Sequence, residues 1–137
     1  MPPITYAPLD ARQLLNKFYR DQRSPMRAGN GATLWVARAP AIVAGLSLTP
    51  IADGHWLTGL LVAQAQRGQG LARGLVGAAR LSVHGPVWLF CHPDLQGFYE
   101  KLGFTPDPPL PVPLAERLRG YQQSKFLLAM ASCASLG

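Results

Sequence analysis

Hydrophobic positions along the chain change period several times, and each change marks an element. Ile4-Thr5-Tyr6 reads as a short first strand. Ala11, Leu14, Leu15 and Phe18 then fall at helical spacing and predict one buried stripe. Asp10 stands before them as an N-cap, with Gln13 as the reciprocal partner of a capping box. Lys17, Arg20 and Arg23 lie toward the end of this helix, where positive charge is favourable. Residues 24–32, Ser-Pro-Met-Arg-Ala-Gly-Asn-Gly-Ala, are turn-rich and predict a loop. Thr33 to Ala39 and Ala41 to Thr49 are apolar, partly β-branched runs parted only by Pro40, which predicts a hairpin. Pro50 to Gly54 predicts the next turn, and His55 to Ala63 a third antiparallel strand.

Helical spacing returns after Gly70. Leu71, Ala72, Leu75, Val76, Ala79 and Val83 form the inner face, with Arg73, Arg80 and His84 outside. Gly74 and Gly77 interrupt this helix, each at a cost of up to about 1 kcal/mol relative to alanine. Their spacing predicts close packing against a neighbour. Val87 to Cys91 is a continuous apolar run, as in a buried strand. Asp94 is placed to cap a helix ending near Leu102, with Gly103 as its left-handed stop and Phe104 folding back. Five prolines, at 106, 108, 109, 111 and 113, make residues 105–113 a stiff connector and not a strand interior. Pro113 then opens a helix with Leu114, Leu118 and Tyr121 on one face, Lys125 to Ala131 reads as a last strand, and Ser132 to Gly137 as a frayed tail. The fold class expected is α/β (α+β), a mixed layout whose first half is antiparallel.

Composition narrows the functional classes. The 137 residues fit one domain, residues 1–137, with 48% apolar and 15% charged positions, a globular balance. No apolar run reaches the roughly 20 residues of a membrane span, and Met1-Pro2-Pro3-Ile4-Thr5 lacks a signal pattern, so a cytoplasmic protein without membrane partners is expected. The net charge of +6 admits nucleic acid as a partner. Its basic residues are nevertheless spread from Arg12 to Lys125 without a dense run, so no nucleic-acid partner is expected, and a ligand with several phosphates is the economical alternative. Cys91 and Cys133 make no disulfide framework, and with three histidines they show no metal-ligand spacing, so no metal is expected. Cys91, at the end of an apolar strand, reads as a small buried hydrophobe.

The chemistry concentrates in residues 60–72, Leu-Leu-Val-Ala-Gln-Ala-Gln-Arg-Gly-Gln-Gly-Leu-Ala, an apolar strand entering a basic, glycine-rich turn that opens a helix. Such a junction presents unpaired N–H groups and the positive end of the helix dipole, which suits a phosphate. Gly68 and Gly70 let the backbone turn tightly and approach a ligand with no Cβ between. Arg67 adds positive charge at the mouth. The same residues, read alone, are also compatible with an ordinary glycine-bearing loop.

Arg67-Gly68-Gln69-Gly70-Leu71-Ala72 resembles the Arg/Gln-x-x-Gly-x-Gly/Ala signature of the GNAT N-acetyltransferase superfamily, with Val62 at the position of its usual strand valine. Phe98-Tyr99-Glu100-Lys101-Leu102-Gly103-Phe104 resembles that family's Leu/Phe-Tyr-x-Lys-x-Gly-Phe segment, one helix and one strand later. The resemblance spans roughly residues 56–104. It implies a mixed, mostly antiparallel central sheet with helices on both faces, lacking or reducing the usual second N-terminal helix, and with the helix at 113–123 inserted before the last strand.

The resemblance also implies acetyl-CoA as cosubstrate, held where strands 55–63 and 87–91 splay apart. Backbone groups of Leu60, Leu61 and Val62 would pair with the pantetheine. N–H groups of Arg67, Gly68, Gln69, Gly70, Leu71, Ala72 and Arg73 would hold the pyrophosphate, with the side chains of Arg67, Arg73 and Arg80 near the phosphates. Tyr99 stands at the motif position often used as the acid that protonates the departing thiolate; its alternative is to pack like Phe98. Strand 55–63 has no carboxylate, so His55, with an unperturbed pKa of about 6.5, is the candidate base, although a strand-end histidine is more often structural. His92 stands where the family often has a cofactor-contacting asparagine; it either replaces that contact or caps the helix beginning at Pro93. The expected acceptor is a primary amine of a small molecule, with a protein amine as the alternative, between the 20–32 loop and the 104–124 connector. Arg20, Arg23 and Arg27 there suit an anionic acceptor, or form a solvated face, while Asp21, Asp53 and Asp107 suit an ammonium group. The alternative function is a domain that binds acetyl-CoA as a signal without turnover. Strand 125–131 leaves open a homodimer paired across it.

Overall fold

The computed structural model describes residues 3–133. In chain order its elements are β1 (Thr5–Leu9), α1 (Arg12–Asp21), β2 (Thr33–Arg38), β3 (Ile42–Ile51), β4 (Gly54–Val62), α2 (Leu71–Leu81), β5 (Pro86–Cys91), α3 (Gln96–Lys101), β6 (Thr105–Pro106), α4 (Val112–Gln122) and β7 (Leu128–Cys133). One seven-stranded sheet has the order β1-β2-β3-β4-β5-β7-β6. Every neighbouring pair is antiparallel except β4 and β5. Residues 22–32 carry no helix, so the chain passes from α1 to β2 through turns alone.

Side-chain alternation puts helices on both faces. Gly45 of β3 turns toward Leu15 of α1, and its register partners carry that face to Val36 and Leu61. Ser47, two residues on, shares it and accepts a 3.0 Å bond from the Gly29 N–H behind α1. Through Thr58, Trp56 and Trp88, the same face continues to Phe90, where α4 packs with Tyr121 against Phe90 at 6.2 Å between ring centroids. The other face holds α2, whose Gly74 lies under the Tyr6 phenol, and α3. Leu15, Tyr19, Leu46, Leu48, Leu75, Leu89 and Met130 are fully buried between these layers.

Several local expectations are corrected. β1 extends to Leu9, paired opposite Leu34, so helix α1 begins too late for Asp10 to cap it. Ala11 is the N-cap, with no side-chain cap bond; the Arg12 guanidinium instead anchors the helix start to the carbonyls of Ala28 and Gly29. β3 runs on through Pro50, leaving only Ala52–Asp53 as the turn. Pro50 is tolerated because β2 has already ended opposite Leu48, so no ladder partner needs its missing N–H. α2 ends at Leu81, short of Val83. Gly74 has the predicted close neighbour, but a Cβ on Gly77 would meet nothing within 4 Å.

Asp94 does not cap α3. His92 Nδ1 accepts the Asp94 N–H at 3.1 Å and so caps the short 3-10 turn Pro93–Leu95 that precedes the helix. At the other end of α3, Gly103 adopts φ +97°, and the N–H groups of Gly103 and Phe104 reach back to the carbonyls of Glu100 and Tyr99, a Schellman stop. The proline connector is not strand-free: Thr105 and Pro106 pair with Ala131 and Met130 at the sheet edge, where a missing N–H costs no ladder bond. The last strand is shifted to Leu128–Cys133, so Ser132 and Cys133 belong to the sheet, while residues 134–137 of the expected tail lie outside the described residues. No helix among the described residues is long and apolar enough to cross a membrane.

Candidate acetyl-transfer site

The site begins where the sheet comes apart. β4 and β5 pair in parallel at His55–Val87 and Trp56–Trp88, and not beyond. Two residues of β4, Gly59 and Leu60, stand opposite the single Leu46 of β3, which is a β-bulge. Gly59 takes φ +69°, and the buried Tyr19 of α1 donates its hydroxyl to the Gly59 carbonyl at 2.6 Å. The bulge bends β4 away from β5 and leaves the backbone of Leu60 to Val62 without a strand partner on that side.

Two clefts occupy the opening. The first, ≈ 330 Å³, runs from Leu60, Leu61 and Val62 to Arg67 and Ala72 at the start of α2. Leu95, Phe98 and Tyr99 form its other wall. The second, ≈ 270 Å³, extends toward Met26 and Leu127, past Thr58, Phe90 and His92. Leu60, Leu95 and Tyr99 line both. Volume alone does not single these clefts out, since one of ≈ 280 Å³ lies between α1 and the β2–β3 turn. Free backbone groups do, and they continue into the next turn.

Gly68 and Gly70 adopt φ +82° and +77°, and a Cβ on either would point into open space. Gly70 is the N-cap of α2, whose first internal bond runs from the Gly74 N–H to the Gly70 carbonyl at 3.1 Å. The N–H groups of Leu71, Ala72 and Arg73 are therefore the orphans of a helix start. Among the described residues those of Gly68, Gln69 and Gly70 also have no acceptor. The Arg67 side chain folds back, with Nε donating to the Val62 carbonyl at 3.2 Å, so its charge stays at the mouth of the first cleft.

Tyr99 is buried, edge-on to Phe98 and Phe104 at 5.0 and 6.0 Å, and its hydroxyl makes no hydrogen bond with the described residues. Burial, reinforced by the nearby Cys91, pushes its pKa up to about 12. A neutral phenol is thus present at any ordinary pH. Cys91 is buried with Sγ 3.7 Å from Met130 Sδ, and burial raises its pKa as well. No carboxylate lines either cleft among the described residues, and no group of three or more His, Cys, Asp or Glu converges there as a metal site.

The predicted site residues therefore divide. Leu60 to Val62, the turn from Arg67 to Arg73, His92 and Tyr99 surround one opening. His55 stands at the paired end of β4 and lines neither cleft; its Nδ1 is buried without a partner among the described residues. The Arg80 guanidinium is bonded to the Leu102 carbonyl at 3.1 Å and Ser132 Oγ at 2.7 Å, tying α2 to the end of α3 and to β7. Sequence reasoning missed Gly59, Tyr19 and Leu95. Only Gly59 carried a signal, an isolated glycine within a strand pattern.

A family model for the GNAT acetyltransferase domain matches residues 30–106, a span that holds the glycine-rich turn, the whole lining of the first cleft and that of the second except Met26 and Leu127. The chain belongs to the GNAT acetyltransferase family. No curated protein matches it. Among solved structures it is similar to the ribosomal-protein-S18-alanine N-acetyltransferase of Escherichia coli, at TM-score 0.72 and 16% identity over 98% of this chain and 96% of that one. It also resembles a spermidine N-acetyltransferase SpeG chimera from Vibrio cholerae and hSSAT, at TM-score 0.62 and 15% identity over 96% of each chain. A third is a streptothricin acetyltransferase assigned in Bacillus anthracis, determined in complex with acetyl coenzyme A, at TM-score 0.59 and 14% identity over 77% of this chain and 64% of that one. At these identities the likeness is one of GNAT fold. The helix α4 before the last strand lays Arg117 5.0 Å over the Trp56 ring and so covers the α1 face beside the second cleft.

Proposed function

We propose that this GNAT domain transfers the acetyl group of acetyl-CoA to a primary amine of a small molecule, by direct transfer with both substrates bound. The observation that carries the reading is the junction of a free β4 edge, a row of free N–H groups from Gly68 to Arg73, and a neutral Tyr99 facing both clefts. The edge suits the amides of a pantetheine arm, which it would bond as an added strand. The N–H row suits a pyrophosphate, and the absent Cβ atoms at Gly68 and Gly70 leave room for it. Acetyl-CoA supplies the activated thioester.

In this reading the second cleft admits the amine in its neutral form, and its attack on the acetyl carbon displaces the sulfur. Tyr99 holds the proton that the sulfur takes as the carbon–sulfur bond breaks, the amine's surplus proton leaves to water, and the Tyr99 phenolate regains a proton from that water. His92 lines the second cleft and is the further cofactor contact proposed. His55 is the remaining candidate base; from outside the clefts it acts only through a water relay, so unchanged kcat in His55→Ala removes it.

The test is acetyl-CoA-dependent release of free thiol across a panel of primary amines, with Tyr99→Phe beside the wild type. The variant is expected to lose roughly 100-fold in kcat while acetyl-CoA affinity holds. Equal turnover removes Tyr99 from the chemistry. Cofactor binding without turnover on any amine converts the reading to an acetyl-CoA-sensing module.

A further inference from the structure

On the α1 face the second cleft is walled by Met26, Phe90 and Leu127, which come from three separate segments. Each is held from behind. The Met26 N–H donates to Ser24 Oγ at 3.1 Å, in a loop whose Ala28 and Gly29 N–H groups are bonded to Asn16 and Ser47. The Phe90 ring packs against Trp56 and Tyr121, at 5.5 and 6.2 Å between centroids. The Leu127 carbonyl accepts from Gln122 Nε2 at 3.0 Å. The wall is therefore a preformed apolar surface. The cleft before it measures ≈ 270 Å³, and a cavity of about 150 Å³ already holds a benzene ring.

Two cations are held against the rings behind Phe90. Arg117 lies 5.0 Å over Trp56 and Lys125 5.5 Å over Tyr121, and neither belongs to an ion pair among the described residues. Asp21, Asp53 and Asp107, which suited an ammonium group in the sequence, are not part of the cleft lining, and neither are Arg20, Arg23 and Arg27. A second ammonium seated here would lose its hydration with no carboxylate to replace it, whereas an apolar body gains by burial. We propose that the acceptor is a monoamine on an uncharged aromatic body, which packs on Phe90 between Met26 and Leu127, and that a second cationic group excludes an amine from this cleft. This names the acceptor class within the acetyl-transfer reading given above and rests on it. An apolar wall also disfavours the ammonium form, so the amine meets Tyr99, which lines the same cleft, in the uncharged form that attacks.

Initial rates of thiol release from saturating acetyl-CoA, compared for phenethylamine, ethylamine and putrescine at one pH and ionic strength, test it. In the wild type kcat/KM for phenethylamine is expected to exceed that for either of the others by about tenfold or more. Met26 is 38% exposed on its loop, so Met26→Glu sets a carboxylate at the cleft wall without disturbing the core. That variant is expected to raise kcat/KM for putrescine by about threefold or more and to lower it for phenethylamine. Ethylamine or putrescine acetylated as well as phenethylamine, or a preference that Met26→Glu leaves unmoved, overturns this proposal and leaves the transfer reading standing. Thiol release with none of the amines overturns both.

Discussion

Replacing Gly59 by alanine perturbs the hinge on which the opening of the sheet depends. Two costs arise together. At φ +69° an alanine pays about 1 kcal/mol for the left-handed conformation. Its Cβ would also lie 2.6 Å from Tyr19 Oη, so the phenol must withdraw from the Gly59 carbonyl that it bonds at 2.6 Å. A buried hydroxyl and carbonyl left unpaired cost about 2 kcal/mol more. The expected loss is therefore about 3 kcal/mol of unfolding free energy, read by urea denaturation at constant slope. In the Tyr19→Phe background the clashing oxygen is gone, and the next nearest atom, Tyr19 Cζ, is at an ordinary 3.5 Å. The same glycine substitution should then cost only about 1 kcal/mol. Additive losses in the two backgrounds would refute the account of the bulge as a Tyr19–Gly59 lock. Acetyl-CoA affinity should fall with Gly59→Ala, since the bulge sets the free edge of β4.

Gly70→Val should weaken acetyl-CoA binding at least tenfold, because a β-branched side chain resists φ +77° and would point into the space left for phosphate; undiminished binding in calorimetry would remove that turn from the cofactor site. Gly77→Ala should raise the stability of the unliganded protein by about 1 kcal/mol, a few degrees in Tm, since a methyl there meets nothing; a lowered Tm would show a packing partner. The pH profile of kcat/KM should rise until the amine acceptor is deprotonated, near pH 10 for an alkylamine with a pKa of about 10.4. Because burial raises Tyr99 to about 12, the acid form persists throughout that range, and a falling limb below pH 11 that Tyr99→Phe abolishes would contradict its buried, neutral state.

Local pattern carried most of the architecture. Alternation and turn residues placed β2, β3, β4 and β5 within a few residues, and helical spacing placed α1, α2 and α4. The glycine-rich turn was legible for a local reason: Gly68 and Gly70 both require a positive φ that few other residues accept, and a helix follows immediately. Element ends were less legible. Asp10 has the right chemistry for a cap, but strand pairing as far as Leu9 moved the helix start past it. Pro50 and Pro106 read as breakers, yet each lies where no neighbouring strand demands its N–H, which depends on where another strand stops.

The same division runs through the site. Residues 60–72 and 98–104 announced the family by their own order, because the glycine-rich turn and the helix stop at Gly103 are contiguous structures built from nearest neighbours. What brings them together is non-local. β4 leaves β5 after Trp56 because a bulge at Gly59 is held by Tyr19, 40 residues earlier. The Arg80 guanidinium is claimed by the Leu102 carbonyl and the Ser132 hydroxyl, 22 and 52 residues later. Tyr99 has its raised pKa because Phe104 and Cys91 close around it. Backbone conformation depends on a few adjacent residues and is written in them; burial, proton affinity and the choice of hydrogen-bond partner depend on residues that meet only when the sheet has formed.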